Sequence, residues 1–241
     1  MTRAAHELGR SSGLFRAPRV IECDARRGLL RMEELACLVR ADERLRDAPD
    51  DLDLMRSVGR AIAAVHDQLR PGPCGAAGSP AGPLDPAGAV PIHGDFSLLN
   101  VCVQAGSGQV VLLDWSSASA LPRKIAVGPR TLDLAQFLRS LVVHLSPLRE
   151  ALRRFPARAA AFLEGYESQA RVRIDRAELA RCARWVSAAH LRGTLRGAPG
   201  VRAVLRAARC WIATLLLHGR IRRLQWRPAE ALEKVLAASG A

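Results

Sequence analysis

Hydrophobic and polar positions near the start of the chain follow the spacing of one helix and one hairpin. Residues 3–10 have a helical pattern that is stopped by the Ser11–Gly13 cluster. Two β-type runs follow at Pro18–Glu22 and Leu29–Leu35, and the turn residues Arg26–Gly28 separate them. This stretch therefore predicts the end of a helix and then a β-hairpin formed by the two runs.

A helical stripe comes next, between two polar stretches. Apolar residues recur at helical intervals between positions 55 and 69, and these are Met55, Val58, Ile62, Val65 and Leu69. Residues 41–51 are acidic and polar, and residues 71–88 are rich in Gly and Pro. Both of these flanking stretches are predicted to be loops.

A second hairpin and a series of helices are predicted in the rest of the chain. The β-type runs Val101–Gln104 and Gln109–Asp114 flank a short Gly- and Ser-containing turn. From Asp133 onward the apolar spacing becomes helical. Further helices are predicted at 148–169, 176–192, 199–218 and 228–238.

The composition is close to the average of globular proteins. Of the 241 residues, 49% are hydrophobic and 24% are charged, which excludes a mainly disordered chain. Aromatic residues make up only 4%, so the core must be built from Leu, Val, Ile and Ala. The length suffices for one large domain or two small ones with a substantial core.

The positive charge is concentrated in the C-terminal part of the chain. The net charge is +13, from 36 basic and 23 acidic residues, and all of the excess lies after residue 100. Residues 171–227 contain 14 arginines and two acids. Such asymmetry indicates either an anionic partner or a solvated Arg-rich helical surface, and charge alone does not separate these readings.

Cysteine usage and hydropathy predict the cellular compartment. The six cysteines are spread singly, and no Cys/His spacing matches a zinc site. The N-terminus has no apolar run typical of a signal peptide, and apolar stretches such as Trp211–Leu217 are too short to span a bilayer. We therefore expect a cytoplasmic protein with reduced thiols and no transmembrane segment.

One group of polar residues points to phosphoryl transfer. The motif His93-Gly94-Asp95 is followed by Asn100, then by the second hairpin, and Asp114 follows directly on that hairpin. In such chemistry a loop carboxylate takes the proton of an acceptor hydroxyl. An amide oxygen and a second carboxylate hold Mg²⁺ against the phosphates. A short loop and a tight hairpin would bring Asp95, Asn100 and Asp114 into one pocket.

At these residues the chain resembles the aminoglycoside phosphotransferase and choline kinase family, which is related to the protein kinases. The resemblance implies that Asp95 is the catalytic base and that Asn100 and Asp114 are magnesium ligands. It implies that His93 supports the catalytic loop and that Asp133, at the start of a later helix, braces it. The resemblance spans roughly residues 4–170 and is specific at 93–135.

The same resemblance suggests a nucleotide site and a fold. Met32–Leu35 is similar to the hinge strand of the family, so Glu33 and Leu35 are expected to receive the adenine of ATP through their backbone. The implied fold is α+β and protein-kinase-like, with a truncated N-lobe and a helix-dominated C-lobe. Residues 1–39 would be the remnant of the N-lobe with the hinge, and residues 40–241 would form the C-lobe with the catalytic and metal-binding loops.

The chain departs from the family pattern in its front part. The family has a Gly-rich strand pair over the phosphates and a strand lysine that binds them. Neither is found here. The only lysines are Lys124 and Lys234, and both follow Asp114, the aspartate that the resemblance places in the magnesium loop. The chain is therefore either a fragment that starts late or a kinase-like protein with an incomplete ATP site.

These observations lead to three hypotheses. The first is an ATP- and Mg²⁺-dependent phosphotransferase that acts on a hydroxyl of a small molecule or glycan, with lipopolysaccharide kinases as a subclass of the same fold group. For this hypothesis the Arg-rich C-terminal part favours an anionic acceptor. The second is a pseudokinase that acts as a binding or regulatory module. The third is a basic helical protein that contacts nucleic acid or an anionic membrane surface through residues 171–227. Nucleic acid is the less favoured partner, because no nucleic-acid motif accompanies the charge.

Overall fold

A computed structural model describes residues 1–24, 26–70, 89–115, 127–197 and 201–224. Its architecture is mixed α+β, which confirms the predicted class. The helices are α1 (Thr2–Ser12), α2 (Ala41–Asp47), α3 (Leu52–Gln68), α4 (Arg130–Val143), α5 (Leu148–Ala170), α6 (Arg176–Gly197) and α7 (Val201–Arg223). The strands are β1 (Val20–Asp24), β2 (Leu29–Met32), β3 (Leu38–Arg40), β4 (Val90–Pro91), β5 (Val101–Gln104), β6 (Val110–Leu112) and β7 (Val127–Gly128).

The strands form three small antiparallel sheets. β1 and β2 make a separate hairpin, β4 pairs with β7, and β5 lies between β3 and β6. The segment around Arg16 runs alongside β6, where its N–H donates to the Val110 carbonyl and its carbonyl accepts from Leu112. The central sheet therefore connects the N-terminal segment to the chain that follows the predicted catalytic loop.

Helix α4 lies at the centre of the helical part. All residues from 131 to 142 are buried, including the polar ones. A helix that is buried all round needs partners on every side, and α5, α6 and α7 all pack against α4. Because its first turn is in the core, a polar side chain there can reach the predicted catalytic loop away from water.

Helices α3 and α5 approach each other closely because each has a glycine at the crossing. A Cβ atom built on Gly59 would lie 2.1 Å from the carbonyl oxygen of Phe162. One built on Gly165 would lie 2.1 Å from the carbonyl oxygen of Arg56. The two backbones are therefore in direct contact, and any residue with a Cβ atom at these positions would force the helices apart.

Helix α5 is tied to α7 at the place where a proline interrupts its hydrogen bonding. Pro156 has no N–H to donate to the Leu152 carbonyl one turn earlier. The Arg220 guanidinium of α7 donates to that carbonyl at 2.7 Å. The carbonyl that proline leaves without its helical partner is thus satisfied, and this contact positions the C-terminal end of α7.

Most of the predicted elements are confirmed. Both hairpins and the helix over 55–69 are present, although β2 ends at Met32 rather than at Leu35. The helices predicted at 148–169, 176–192 and 199–218 correspond to α5, α6 and α7. The loop predicted at 71–88, the helix predicted at 228–238 and Lys124 lie outside the described residues.

The prediction of a loop over 41–51 is wrong for its first part, because α2 occupies Ala41–Asp47. Asp42, in the first turn, is buried and accepts from the guanidinium groups of Arg40 at 2.9 Å and Arg46 at 2.5 Å. A carboxylate near a helix N-terminus also interacts favourably with the helix dipole. The polar composition therefore reflects ion pairing within a short helix.

None of the helices in the described ranges is long and apolar enough to cross a membrane.

Candidate active site

The predicted brace, Asp133, holds the backbone of the predicted catalytic loop. It lies in the first turn of α4 and is fully buried. Its Oδ2 accepts from the N–H of His93 at 2.7 Å, and its Oδ1 accepts from the N–H of Gly94 at 2.9 Å. Gly94 has a φ of 86°, which favours glycine at this turn. Asp133 therefore holds two backbone amides of this loop, and its role as the brace of a catalytic loop stays a prediction.

His66 links this carboxylate to the crossing of α3 and α5. Its Nε2 lies 3.1 Å from Asp133 Oδ2, and its Nδ1 lies 2.9 Å from the Tyr166 hydroxyl. Arg130 donates to the same hydroxyl at 3.2 Å and to Asp67 at 2.5 Å. His66 is buried and uses one ring nitrogen for Asp133 and the other for Tyr166, so it connects α3 to both α4 and α5.

The environment of Asp133 favours its charged form. Burial raises the pKa of this carboxyl, but the hydrogen bond and charge of His66, the charge of His93 and the N–H of Gly94 together hold the pKa below its usual range. A native-state pKa below the unfolded value means that folding stabilises the ionised carboxylate.

The first prediction concerns this carboxylate. Asp133→Asn should lower the free energy of unfolding by about 3 kcal/mol at neutral pH, because an amide has one accepting oxygen and leaves a buried backbone N–H of the loop without its acceptor. The stabilisation from Asp133 is fully present above about pH 4 and is lost as pH falls through the lower native pKa. Urea unfolding of both proteins across acidic pH should therefore show a difference that shrinks below about pH 4.

The matched control for this prediction is Asp53→Asn. The Asp53 side chain is almost fully exposed and pairs with Arg56 at the surface. Its loss should cost about 0.5 kcal/mol or less. A pH-independent difference between the wild-type protein and Asp133→Asn would show that the Asp133 charge is not what stabilises the fold.

Two further polar residues of α4 hold the loop, and sequence reasoning did not identify them. Gln136 accepts from the N–H of Phe96 at 2.9 Å and donates to the Gly94 carbonyl at 3.0 Å. Ser140 accepts from the N–H of Leu98 at 3.0 Å. Asp133, Gln136 and Ser140 recur at helical spacing, so a polar stripe within an apolar helix was the available signal.

His93 supports the loop on the side of the second hairpin. Its Nε2–H donates to the Leu113 carbonyl at 2.8 Å, and its ring centroid lies 4.7 Å from that of Trp115. His93 is buried. These contacts place His93 between the predicted catalytic loop and the chain leading to Asp114.

Asp95 and Asn100 are in direct contact. The Asn100 Nδ2 donates to the backbone carbonyl of Asp95 at 2.8 Å and to its Oδ2 at 3.2 Å. Both side chains are half-buried. Because the amide is planar, its nitrogen faces Asp95 and its Oδ1 is directed away from that residue. Asn100 therefore orients the Asp95 carboxylate and keeps an amide oxygen on its other side.

Asp114 is brought to the same place by strand pairing. The N–H of Leu113 donates to the Asn100 carbonyl at 2.9 Å, so the next residue, Asp114, begins beside Asn100. Asp114 is exposed and has a φ of 60°, which is uncommon for a residue other than glycine. Such a conformation is often found at functional sites.

The chemistry of this donor set fits a magnesium ion. Carboxylate and amide oxygens are hard ligands, and Mg²⁺ commonly takes one or two protein ligands while keeping water and substrate phosphates. Asn100 and Asp114 would supply those two oxygens. Within the described ranges, no cluster of three or more His, Cys, Asp or Glu side chains forms a metal site.

The expected hinge residues Glu33 and Leu35 lie beyond the end of β2. The Glu33 side chain accepts from the Arg16 guanidinium and from the N–H of Arg19, both at 3.1 Å. Its own N–H donates to the Arg19 carbonyl at 2.8 Å, so any contact of Glu33 with an adenine would use its carbonyl oxygen. Leu35 is half-buried, and no contact tests its expected role.

The hinge segment is connected to the hairpin that carries the site. The Gln104 side chain donates to the Ala36 carbonyl at 2.8 Å, and the N–H of Ala105 donates to the Cys37 carbonyl at 2.9 Å. Asn100 precedes β5 and Gln104 ends it, so the two are about 13 Å apart along the strand. The segment expected to be the hinge and the predicted metal ligand Asn100 thus lie at opposite ends of β5, and their roles stay predictions.

Neither a scan against protein-family models nor a search of curated proteins gave a match to this chain.

Proposed function

We propose that the protein is a phosphotransferase that uses ATP and Mg²⁺ to phosphorylate a hydroxyl of a small molecule or glycan. Its fold would be protein-kinase-like, with a short N-lobe and a helix-dominated C-lobe. The observation that supports this most directly is the contact between Asp95 and Asn100, with Asp114 beside them and Asp133 behind the loop. This spacing was expected from the sequence for phosphoryl transfer.

Each residue has a distinct task in the proposed reaction. Asp95 accepts the proton of the acceptor hydroxyl, while the oxygen of that hydroxyl forms a bond to the terminal phosphorus of ATP. The bond between that phosphorus and the bridging oxygen breaks, and ADP leaves. Asn100 and Asp114 would hold Mg²⁺, which when bound neutralises charge on the phosphates.

The loop is suited to this task because it is held rigidly. Asp133, Gln136 and Ser140 together accept hydrogen bonds from four backbone amides between residues 93 and 98. Catalytic groups must stay within a fraction of an ångström of their productive position. A loop held by a buried helix meets that need better than one held by solvent-exposed contacts.

A nucleotide-binding module without turnover is the second candidate. The described residues contain no lysine, and the chain as a whole has only Lys124 and Lys234. Kinases of this type use a strand lysine to bind the phosphates. Without such a residue, magnesium and nucleotide could still bind at Asn100 and Asp114, while transfer would be slow.

The second prediction tests the nucleotide site that both candidates share. At about a hundred times its Kd, MgATP should raise Tm by about 5–10 °C for a domain of this size. Asn100→Ala and Asp114→Ala should reduce this shift, and EDTA should do the same to the wild-type protein. The measurement is a thermal unfolding curve followed by circular dichroism.

Ser107→Ala is the matched control, since Ser107 is exposed at the turn of the same hairpin. It should keep the full MgATP shift. A folded wild-type protein whose Tm does not respond to MgATP would contradict both candidates. A shift that persists in Asn100→Ala and Asp114→Ala would place the nucleotide elsewhere.

A further inference from the structure

Helix α7 exposes a row of large apolar side chains. Trp211, Ile212, Leu215 and Leu216 are between 39% and 58% exposed, and we call them the outer face of α7. The opposite side of the helix is buried through Leu217 and Ile221. Side chains spaced by four residues lie above one another on a helix, so the outer face is one continuous strip. Exposed apolar strips of this kind mark interaction sites.

The charged residues of α7 are all arginines. The 23 residues of α7 contain six arginines and no acidic residue. Arg222 and Arg223 are exposed and lie seven positions after Leu215 and Leu216, so they continue the same face. The apolar strip therefore ends in a pair of cations at the surface.

The C-terminal end of the outer face is fixed against α5 and lines a groove. Arg220 is bound to the Leu152 carbonyl, which anchors α7 to α5. A groove of about 650 Å³ lies there, and Pro156, Leu216 and Arg223 are among its lining residues. Apolar walls beside an arginine match an amphiphile with an anionic head.

We propose that the outer face of α7 docks the protein on membranes that contain anionic lipids. An interfacial helix places Trp and Leu side chains at the boundary between headgroups and acyl chains, with Arg beside them. The proposal is independent of the phosphotransfer reaction. A nucleic acid would also attract the arginines, but aliphatic side chains such as Ile212 and Leu215 gain little from a phosphate backbone.

The test is co-sedimentation of the full chain with vesicles. One set consists of phosphatidylcholine alone, and the other of equal parts phosphatidylcholine and phosphatidylglycerol. We expect binding to the anionic vesicles, weakened by high salt, and little binding to the neutral ones. Trp211→Ser/Leu215→Ser should reduce the partition about tenfold or more through lost apolar burial. Arg222→Gln/Arg223→Gln should also reduce it about tenfold or more.

A fluorescence readout reports whether the strip enters the lipid. Trp211 is exposed in the free protein, so its emission should shift to shorter wavelength when it contacts acyl chains. Trp211→Phe should retain most of the vesicle binding and lose most of this shift. If Trp211→Phe keeps both the vesicle binding and the emission shift, Trp211 stays in water, which would contradict the proposed orientation.

Matched controls come from the β1–β2 hairpin. Leu30 and Met32 are 40% and 43% exposed, so Leu30→Ser/Met32→Ser removes comparable apolar surface. Arg26→Gln/Arg27→Gln removes two exposed arginines from the turn. Both controls should bind anionic vesicles like the wild-type protein. All variants replace exposed side chains, and circular dichroism verifies that they fold.

Four outcomes would overturn the proposal. The first is equal binding to both vesicle types, and the second is unchanged binding by the two α7 double variants. The third is a wild-type self-association, measured by sedimentation velocity, that Trp211→Ser/Leu215→Ser removes, since a second copy would then cover the strip. The fourth is binding to a DNA duplex that competes with vesicles and depends on Arg222 and Arg223 but not on Trp211 or Leu215.

Discussion

Asp95→Asn should lower the rate of phosphate transfer about 10²- to 10⁴-fold, the usual contribution of a general base. Asparagine keeps the shape of the side chain and its contact with Asn100, but it cannot take a proton from an acceptor hydroxyl. MgATP should still raise Tm, because Asn100 and Asp114 are the proposed metal ligands. The measurement is release or transfer of labelled γ-phosphate from ATP, with water and a panel of hydroxyl compounds as acceptors.

The split between binding and transfer is what makes this experiment decisive. A variant that loses transfer and keeps the MgATP response supports Asp95 as the base. A variant that transfers phosphate as fast as the wild-type protein would remove Asp95 from the mechanism. If MgATP stabilises the wild-type protein and no acceptor in the panel, including water, receives phosphate, the module without turnover becomes the better description.

Gly165→Ala should destabilise the protein by about 4 kcal/mol or more, among the largest effects of a single substitution. The added Cβ would lie 2.1 Å from the Arg56 carbonyl oxygen and 2.7 Å from its carbonyl carbon. Both atoms are backbone, so relief requires α3 and α5 to move apart. Gly59→Ala should act in the same way, because its Cβ meets the backbone of α5. Urea unfolding followed by circular dichroism measures both.

Two comparisons sharpen this prediction. Gly193→Ala, in α6, adds a Cβ that meets nothing within 4 Å, so it should stabilise the helix by about 0.5–1 kcal/mol. The double variant Gly59→Ala/Gly165→Ala should cost less than the sum of its parts, since helices already separated accept the second methyl group more easily. If the effects of the two single variants add up in the double variant, or if each is close to zero, the two backbones are not in contact.

The helix crossing and the site are connected through one network. Tyr166 follows Gly165 directly and reaches His66, which in turn contacts Asp133. Separation of α3 and α5 would therefore also disturb the carboxylate that holds the predicted catalytic loop. For this reason the glycine variants are tests of stability, and the activity test uses Asp95, which belongs to neither α3 nor α5 and whose side chain is half-buried.

Sequence patterns were sufficient for much of the fold and for the central part of the site. Apolar periodicity located α3 and α4, because burial imposes the helical spacing of apolar residues, and the helices predicted further along correspond to α5, α6 and α7. The motif from His93 to Asn100 and the hairpin before Asp114 predicted a short loop and a tight turn. The structure confirms the hairpin and the contact between Asp95 and Asn100.

Other features could not be read from local patterns. Helix α2 was missed because its stability depends on the pairing of Asp42 with Arg40 and Arg46. The polar composition of this segment is equally typical of a loop. Gln136 was missed because the polar stripe that it forms with Asp133 and Ser140 does not identify a partner until the loop is placed against α4. The roles of Glu33 and Leu35 as adenine-binding residues stay predictions.

By itself, the sequence determined the α+β class, the order of most elements and the polar residues suited to phosphoryl transfer. Only the tertiary structure decided which of those residues meet, since contacts such as His66 with Asp133 join parts of the chain that are distant in sequence. It also decided that Arg222 and Arg223 are exposed at the end of an exposed apolar strip. Local spacing records which face of an element is buried, whereas the partner of that face depends on the packing of the whole chain.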